Sequence, residues 1–212
     1  RIEESSLLRE KMIGESEALR LLQSRIVSDF LEEFSHTEFS LYAIDKPGND
    51  TQRIFFFDTM TNTDTHLDLV FTEATKVGFD GIVSLLKHDS DLGTLQISLE
   101  KQDFDSWQLT TERTEMPAPL IWSSEKETLF VASEKELLQP EDLLIIVNFG
   151  LDRAMRDEDS IQKWFTRVFS HFAHEGIDTC MALLNNELSF LSERQQSHAP
   201  LLAVCLQRKI NR

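Results

Sequence analysis

Cysteine is scarce in this chain of 212 residues, with Cys180 and Cys205 the whole complement. Two thiols are too few for a disulfide framework or a structural zinc site. Both sit in apolar surroundings, which implies reduced, buried side chains and a cytosolic-type compartment. Glycine (7) and proline (5) are also sparse, which excludes collagen-like and low-complexity chains. Positive charge is in short supply. With 21 Lys+Arg against 37 Asp+Glu the formal net charge is −16. So acidic a chain is a poor general nucleic-acid binder, because phosphate neutralisation needs clustered Lys and Arg, and it gains no electrostatic hold on an anionic membrane. No apolar run approaches the roughly 20 residues of a membrane span. There is no signal peptide, and the chain opens at Arg1. The expectation is a soluble piece of a longer protein.

What is present is a foldable core: 41% of residues are hydrophobic, which excludes a disordered polar chain. Residues 3–34 are expected to form one long helix. Leu8, Met12, Glu15, Leu19, Leu22 and Ile26 approximate a heptad stripe, interrupted by the polar Glu15 and weakened by Gly14 and Ser16. This predicts pairing with a second copy, a homodimer through residues 3–34. From Ile26 to Phe34 the apolar positions crowd, which suits docking on a core.

The pattern then turns to strands. Runs at 38–44, 53–57 and 66–71 predict an antiparallel meander, and a short helix is expected at 79–87. Further strands are expected at 95–100, 106–110, 120–122, 128–131, 143–147 and 201–206, with 143–147 apolar throughout and therefore central. Helices are expected at 158–175, capped by Asp159 or Ser160 and ended by Gly176, and at 178–193. Mixed strands and helices make an α+β fold, with helices outside a strand-rich core.

Motifs of known chemistry are missing: no P-loop, Rossmann fingerprint, CxxC, HExxH or GxSxG occurs. His171 and His174 share a helix face beside Glu175 but lack a third ligand, so two ordinary helix histidines are the favoured reading. Asp58, Asp64, Asp68 and Glu73 cluster in sequence, and in so acidic a chain solvated surface carboxylates are the simpler reading. Trp107, Trp122 and Trp164 lie within apolar patterns and are expected in the core.

The order of segments nevertheless resembles a known family along roughly residues 5–208. Arg53-Ile-Phe-Phe-Phe-Asp-Thr-Met60 stands where that family has Gly-Gly-Asp-Phe-Tyr-Asp-Phe-Phe. His66-Leu-Asp-Leu-Val-Phe-Thr-Glu73 stands where it ends a strand in Gly-Asp-Val-Ser-Gly-His-Gly. Arg113-Thr-Glu-Met-Pro-Ala-Pro-Leu120 resembles Asn-Ala-Gly-His-Pro-Pro-Pro-Leu. The most specific match is Glu141-Asp-Leu-Leu-Ile-Ile-Val-Asn-Phe-Gly-Leu-Asp-Arg-Ala154, beside Gly-Asp-Leu-Leu-Leu-Leu-Tyr-Thr-Asp-Gly-Leu-Thr-Glu-Ala. His198-Ala-Pro-Leu-Leu-Ala-Val204 takes the place of a terminal Asp-Asp-Ile-Thr-Leu-Leu-Val. The chain thus resembles a degenerate member of the SpoIIE/RsbU branch of the metal-dependent protein phosphatase 2C superfamily.

The resemblance implies two stacked antiparallel sheets flanked by helices, an α-β-β-α sandwich over residues 35–212, with residues 1–34 as a linker and dimerisation helix. Family enzymes hold paired Mn or Mg ions on aspartates, and those ions activate water for attack on phosphate. Here the matching positions read Phe55, Thr72, Glu73, Phe149, His198 and Ala199, and only Glu73 keeps a carboxylate. The resemblance therefore implies no catalytic, cofactor-binding or metal-binding residue and no cofactor. It points to a cytoplasmic regulatory domain of a larger sensor protein, binding a STAS-domain anti-anti-sigma factor or an active phosphatase. The alternative is a divergent Mn- or Mg-dependent phosphatase acting on a phosphorylated anti-anti-sigma protein, with Glu73 joined by Asp58, Asp64 or His198.

Overall fold

A computed structural model describes residues 24–32, 34, 38–46, 54–74, 92–103, 105–156, 161–194 and 201–208, together with Ser6 and Leu21. Its strands are β1 Phe39–Lys46, β2 Ile54–Asn62, β3 His66–Ala74, β4 Leu92–Lys101, β5 Trp107–Thr114, β6 Leu120–Ser123, β7 Thr128–Val131, β8 Lys135–Leu138, β9 Leu143–Val147 and β10 Leu201–Arg208. The helices are α1, helical at residues 24–32 and 34, then α2 Phe149–Arg156, α3 Ile161–Phe172 and α4 Ile177–Arg194.

The strands form two five-stranded antiparallel sheets. Sheet A runs β1-β10-β9-β6-β7 and sheet B runs β2-β3-β4-β5-β8. Strand side chains alternate between faces, so each sheet has an inner and an outer set. The inner sets interdigitate: Phe55, Leu67, Leu69, Phe71, Leu95, Ile97, Leu99 and Leu109 from sheet B meet Phe39, Ile121, Leu144, Ile146, Leu202, Val204 and Leu206 from sheet A. Burying each such side chain contributes roughly 1.5–3 kcal/mol before chain entropy is set against it.

A second core covers the outer face of sheet A. Ile44, Leu120, Trp122, Leu143, Ile145, Val147, Ala203 and Cys205 pack against Leu151 and Met155 of α2, Trp164, Phe165, Val168 and Phe169 of α3, and Cys180, Leu184 and Leu188 of α4. This is the α+β sandwich expected from the sequence. All three tryptophans are buried, as are both thiols, whose pKa values burial pushes up. No described helix is long and apolar enough to cross a membrane.

Most expected strands appear, lengthened by a few residues, and 143–147 lies at the centre of sheet A. The meander is shifted by one strand. It runs β2-β3-β4-β5, while β1 pairs with the C-terminal β10. The reason lies in β1's two faces. Phe39 and Leu41 enter one core while Tyr42 and Ile44 enter the other, so β1 suits the sheet that is covered on both sides.

Strand β8 and helix α2 were not anticipated. The segment Lys-Glu-Leu-Leu carries no strand propensity of its own and is held by pairing with β5. The helix expected at 158–175 is α3 followed by a 3-10 turn, Ala173–Glu175. Gly176 ends it at φ 106, a backbone conformation open chiefly to glycine. The caps expected at Asp159 and Ser160, the helix at 79–87 and nearly all of residues 1–23 lie outside the described residues. The described part of the leading helix does dock on the core. Val27, Phe30 and Phe34 are buried, and Phe30 stacks on Phe57 at 4.9 Å and meets Phe71 edge-on at 6.1 Å.

Candidate functional site at the end of the sandwich

Strand register brings the candidate positions together. Phe55 of β2 is the cross-strand partner of Glu73 in β3, and Glu73 is the partner of Gly93 in β4. All three side-chain positions face inward at one end of the sandwich. A Cβ on Gly93 would lie 2.8 Å from the Glu115 carbonyl and 3.1 Å from Met116, so glycine lets the β5–β6 connection cross this end closely. Met116, beside it, is buried.

The fourth wall comes from sheet A. Strand β9 ends at Val147, and α2 starts immediately after it. Asn148 is 0% exposed and caps α2: its Oδ1 accepts the Leu151 N–H at 2.8 Å and the Leu202 N–H of β10 at 3.1 Å. The Glu73 side chain, also 0% exposed, reaches across from sheet B, and its Oε2 accepts the Phe149 N–H at 3.1 Å. A carboxylate at the first turn of a helix is favoured both by the unpaired N–H groups and by the helix dipole.

Three of the six candidate positions therefore converge, namely Phe55, Glu73 and Phe149. His198 and Ala199 lie outside the described residues. Thr72 belongs to the opposite face of β3 from Glu73, since adjacent strand residues alternate. A hard cation such as Mg or Mn needs several oxygen ligands. The described positions offer one carboxylate, already engaged with a helix N-terminus, and the Phe55 side chain beside it has no ligating atom. This set does not fit a paired-cation centre.

The remaining candidates lie apart from this end. Asp58 and Asp64 are exposed, and Asp68 sits on the outer face of sheet B. There His66 Nε2 lies 2.8 Å from Asp68 and 3.1 Å from the Ser98 hydroxyl. Both partners meet the same ring nitrogen, so the imidazole cannot pass a proton from serine to carboxylate as in a nucleophile triad. His171 Nδ1 faces the Arg167 carbonyl at 2.9 Å, and His174 pairs loosely with Glu175 at 3.8 Å. Among the described residues no group of three or more His, Cys, Asp or Glu is placed to hold a metal ion. A cleft of about 900 Å³ opens alongside, lined by Thr111, Arg113, Pro119, Ala132, Ser133 and Lys135 among others. Arg113 ties it to the Glu73 end by donating to the Met116 carbonyl at 2.9 Å.

Sequence reasoning missed Asn148, Met116 and Gly93 here. Asn148 had a readable signal, an Asn directly before a helical segment. Gly93 had none, because its requirement comes from a strand distant in sequence.

The architecture is that of the PP2C-type phosphatase domain. Three solved structures share it. The RsbU and RsbW domains of Rv1364c from Mycobacterium tuberculosis match with a TM-score of 0.57 and 14% identity over 82% of this chain. The SiaA-PP2C domain of Pseudomonas aeruginosa matches at 0.55 and 9% identity, over 97% of this chain and 98% of that one. The PP2C phosphatase domain with a fragment of the regulatory domain of the cell fate determinant SpoIIE from Bacillus subtilis matches at 0.53 and 11% identity, over 82% of this chain. This chain spans 62% of the length of the M. tuberculosis chain and 64% of the SpoIIE one. No protein-family model and no curated protein sequence matches it. One backbone detail agrees with the sequence match. Glu141, standing where the phosphatase pattern has Gly, holds the left-handed φ of 70 that glycine adopts without strain.

Proposed function

We propose that this chain is a catalytically inactive, phosphatase-like regulatory domain. It binds a signalling partner of the sigma-factor partner-switching type, such as a STAS-domain anti-anti-sigma factor or an active phosphatase, and relays a signal arriving through its leading helix. The observation that carries this reading is the Phe55–Glu73–Phe149 arrangement. Where the phosphatase chemistry needs metal-bound carboxylates, the chain places apolar side chains and one carboxylate spent on a helix N-terminus.

Loss of chemistry does not remove binding, because function lives in the surfaces a fold presents. The cleft of about 900 Å³ beside this end supports the binding half of the reading. The relay half draws on α1. Phe30 stacks on Phe57 and meets Phe71 edge-on in the core, so a shift of the leading helix is felt inside the sandwich. Pairing of two chains through residues 3–34 belongs to the same proposal. Regulatory neighbours in fold space are in keeping with it: one similar structure joins RsbU and RsbW domains, and another carries part of a regulatory domain.

Calorimetric titration of Mn into the purified chain, with a chelator control and a parallel phosphatase assay, tests the proposal. The expected result is no saturable heat and no turnover. Saturable binding with Mn-dependent turnover overturns it in favour of a divergent metal-dependent phosphatase.

A further inference from the structure

Glu73 belongs to sheet B, yet its side chain reaches a backbone group of sheet A's layer. We propose that it links the two sheets at this end, a strap from β3 of sheet B to the β9–α2 turn of sheet A.

The proposal rests on the metal-free reading above and adds a role for the single carboxylate retained. The geometry supports it from both sides. Glu73 lies near the end of β3, between β2 and β4, so its backbone is held by ladders on both flanks. Its acceptor oxygen meets the Phe149 N–H at 3.1 Å. Phe149 follows Asn148, whose side-chain oxygen binds both α2 and β10, and whose own N–H donates to the Leu202 carbonyl at 3.0 Å. The Glu73–Phe149 hydrogen bond thus connects β3 to the point where β9, α2 and β10 are tied together. Phe55 and Met116 beside it are buried as well, and a hydrogen bond in such low-dielectric surroundings is stronger than one open to water. A mere surface carboxylate is neither fully buried nor aimed at a helix start.

Two nearly isosteric variants of the full chain separate the strap from the space it fills. Glu73→Gln keeps an oxygen acceptor, whereas Glu73→Met keeps the bulk and removes it. Amide hydrogen exchange at Phe149 is the readout, with and without Mn. The expected result is Phe149 exchange roughly tenfold faster or more in Glu73→Met, near wild type in Glu73→Gln, and indifferent to Mn in all three proteins. Equal protection of Phe149 in Glu73→Met and wild type, with Mn still inert, overturns the strap and leaves the metal-free reading standing. Mn-dependent protection that disappears with Glu73→Met makes Glu73 a ligand and overturns both. If Glu73→Met does not fold, Glu73→Ala replaces it: faster Phe149 exchange than in Glu73→Gln supports the strap, and equal exchange overturns it.

Discussion

The two sheets differ most on the sides that face away from each other. The outer face of sheet A carries Ile44, Trp122, Ile145, Val147, Ala203 and Cys205 under three helices. The outer face of sheet B carries His66, Asp68, Thr94, Gln96, Ser98, Thr110 and Glu112, all half-buried or exposed. Among the described residues, sheet A supplies two cores, and sheet B supplies one core and a polar outer face. The candidate site lies where the two meet, and its residues draw their positions from both.

The sharpest way to break this contrast is to truncate one apolar side chain on each outer face. Ile145 is 0% exposed at the centre of sheet A, between Cys205 and Leu120. Ile145→Ala is expected to cost about 3 kcal/mol, the lost transfer energy plus a cavity that three packed helices cannot close. Val70 is half-buried on the outer face of sheet B, and Val70→Ala is expected to cost about 1 kcal/mol or less. Urea unfolding of both variants measures the difference. Equal costs would mean that sheet B's outer face is as much a core as sheet A's.

A second substitution probes the joint between the layers. Asn148→Ala leaves the buried N–H groups of Leu151 and Leu202 without their acceptor. The expected cost is about 2 kcal/mol, at the upper end of cap losses because two donors share one oxygen. A loss of only a few tenths in the same urea experiment would show that α2 is held by its apolar face alone, through Leu151 and Met155.

The same contrast explains what was legible in the sequence. Strands β9 and β10 read as unbroken apolar runs because both faces are covered, and β3 reads as an alternation because one is not. Period therefore identified strands and burial well. It did not identify partners. β1 was misplaced next to β2 because local pattern carries no information on which distant strand completes its ladder, here β10 at the far end of the chain. At the candidate site, the resemblance pointed to Phe55, Glu73 and Phe149, and register and hydrogen bonding bring these three together. The contribution of Gly93 and Met116 was invisible, because it depends on a crossing between sheets rather than on any local motif.

The smallest expected effect is electrostatic and distinguishes the layers by sign. On the outer face of sheet B, burial works to raise the Asp68 carboxyl. Hydrogen bonds from Ser98, His66 and Thr61, together with the imidazole's charge, outweigh it and hold the group below its usual range. A depressed carboxylate contributes stability that is present above its unfolded value, about 3.9, and is lost as pH falls through the folded value. Asp142, beside sheet A, runs the other way. Burial raises it despite the N–H groups of Gln139 and Ser124, so its contribution favours the protonated form and is lost as pH rises through its folded value. Wild type should therefore melt slightly above Asp68→Asn at neutral pH, with the gap closing as the pH falls below about 4. Thermal melts across pH 2.5 to 7, taken as an approximate range around that value, measure it. A gap that stays constant or widens in acid would show that the Asp68 carboxylate gains nothing from His66 and Ser98, and that sheet B's polar face is electrostatically idle.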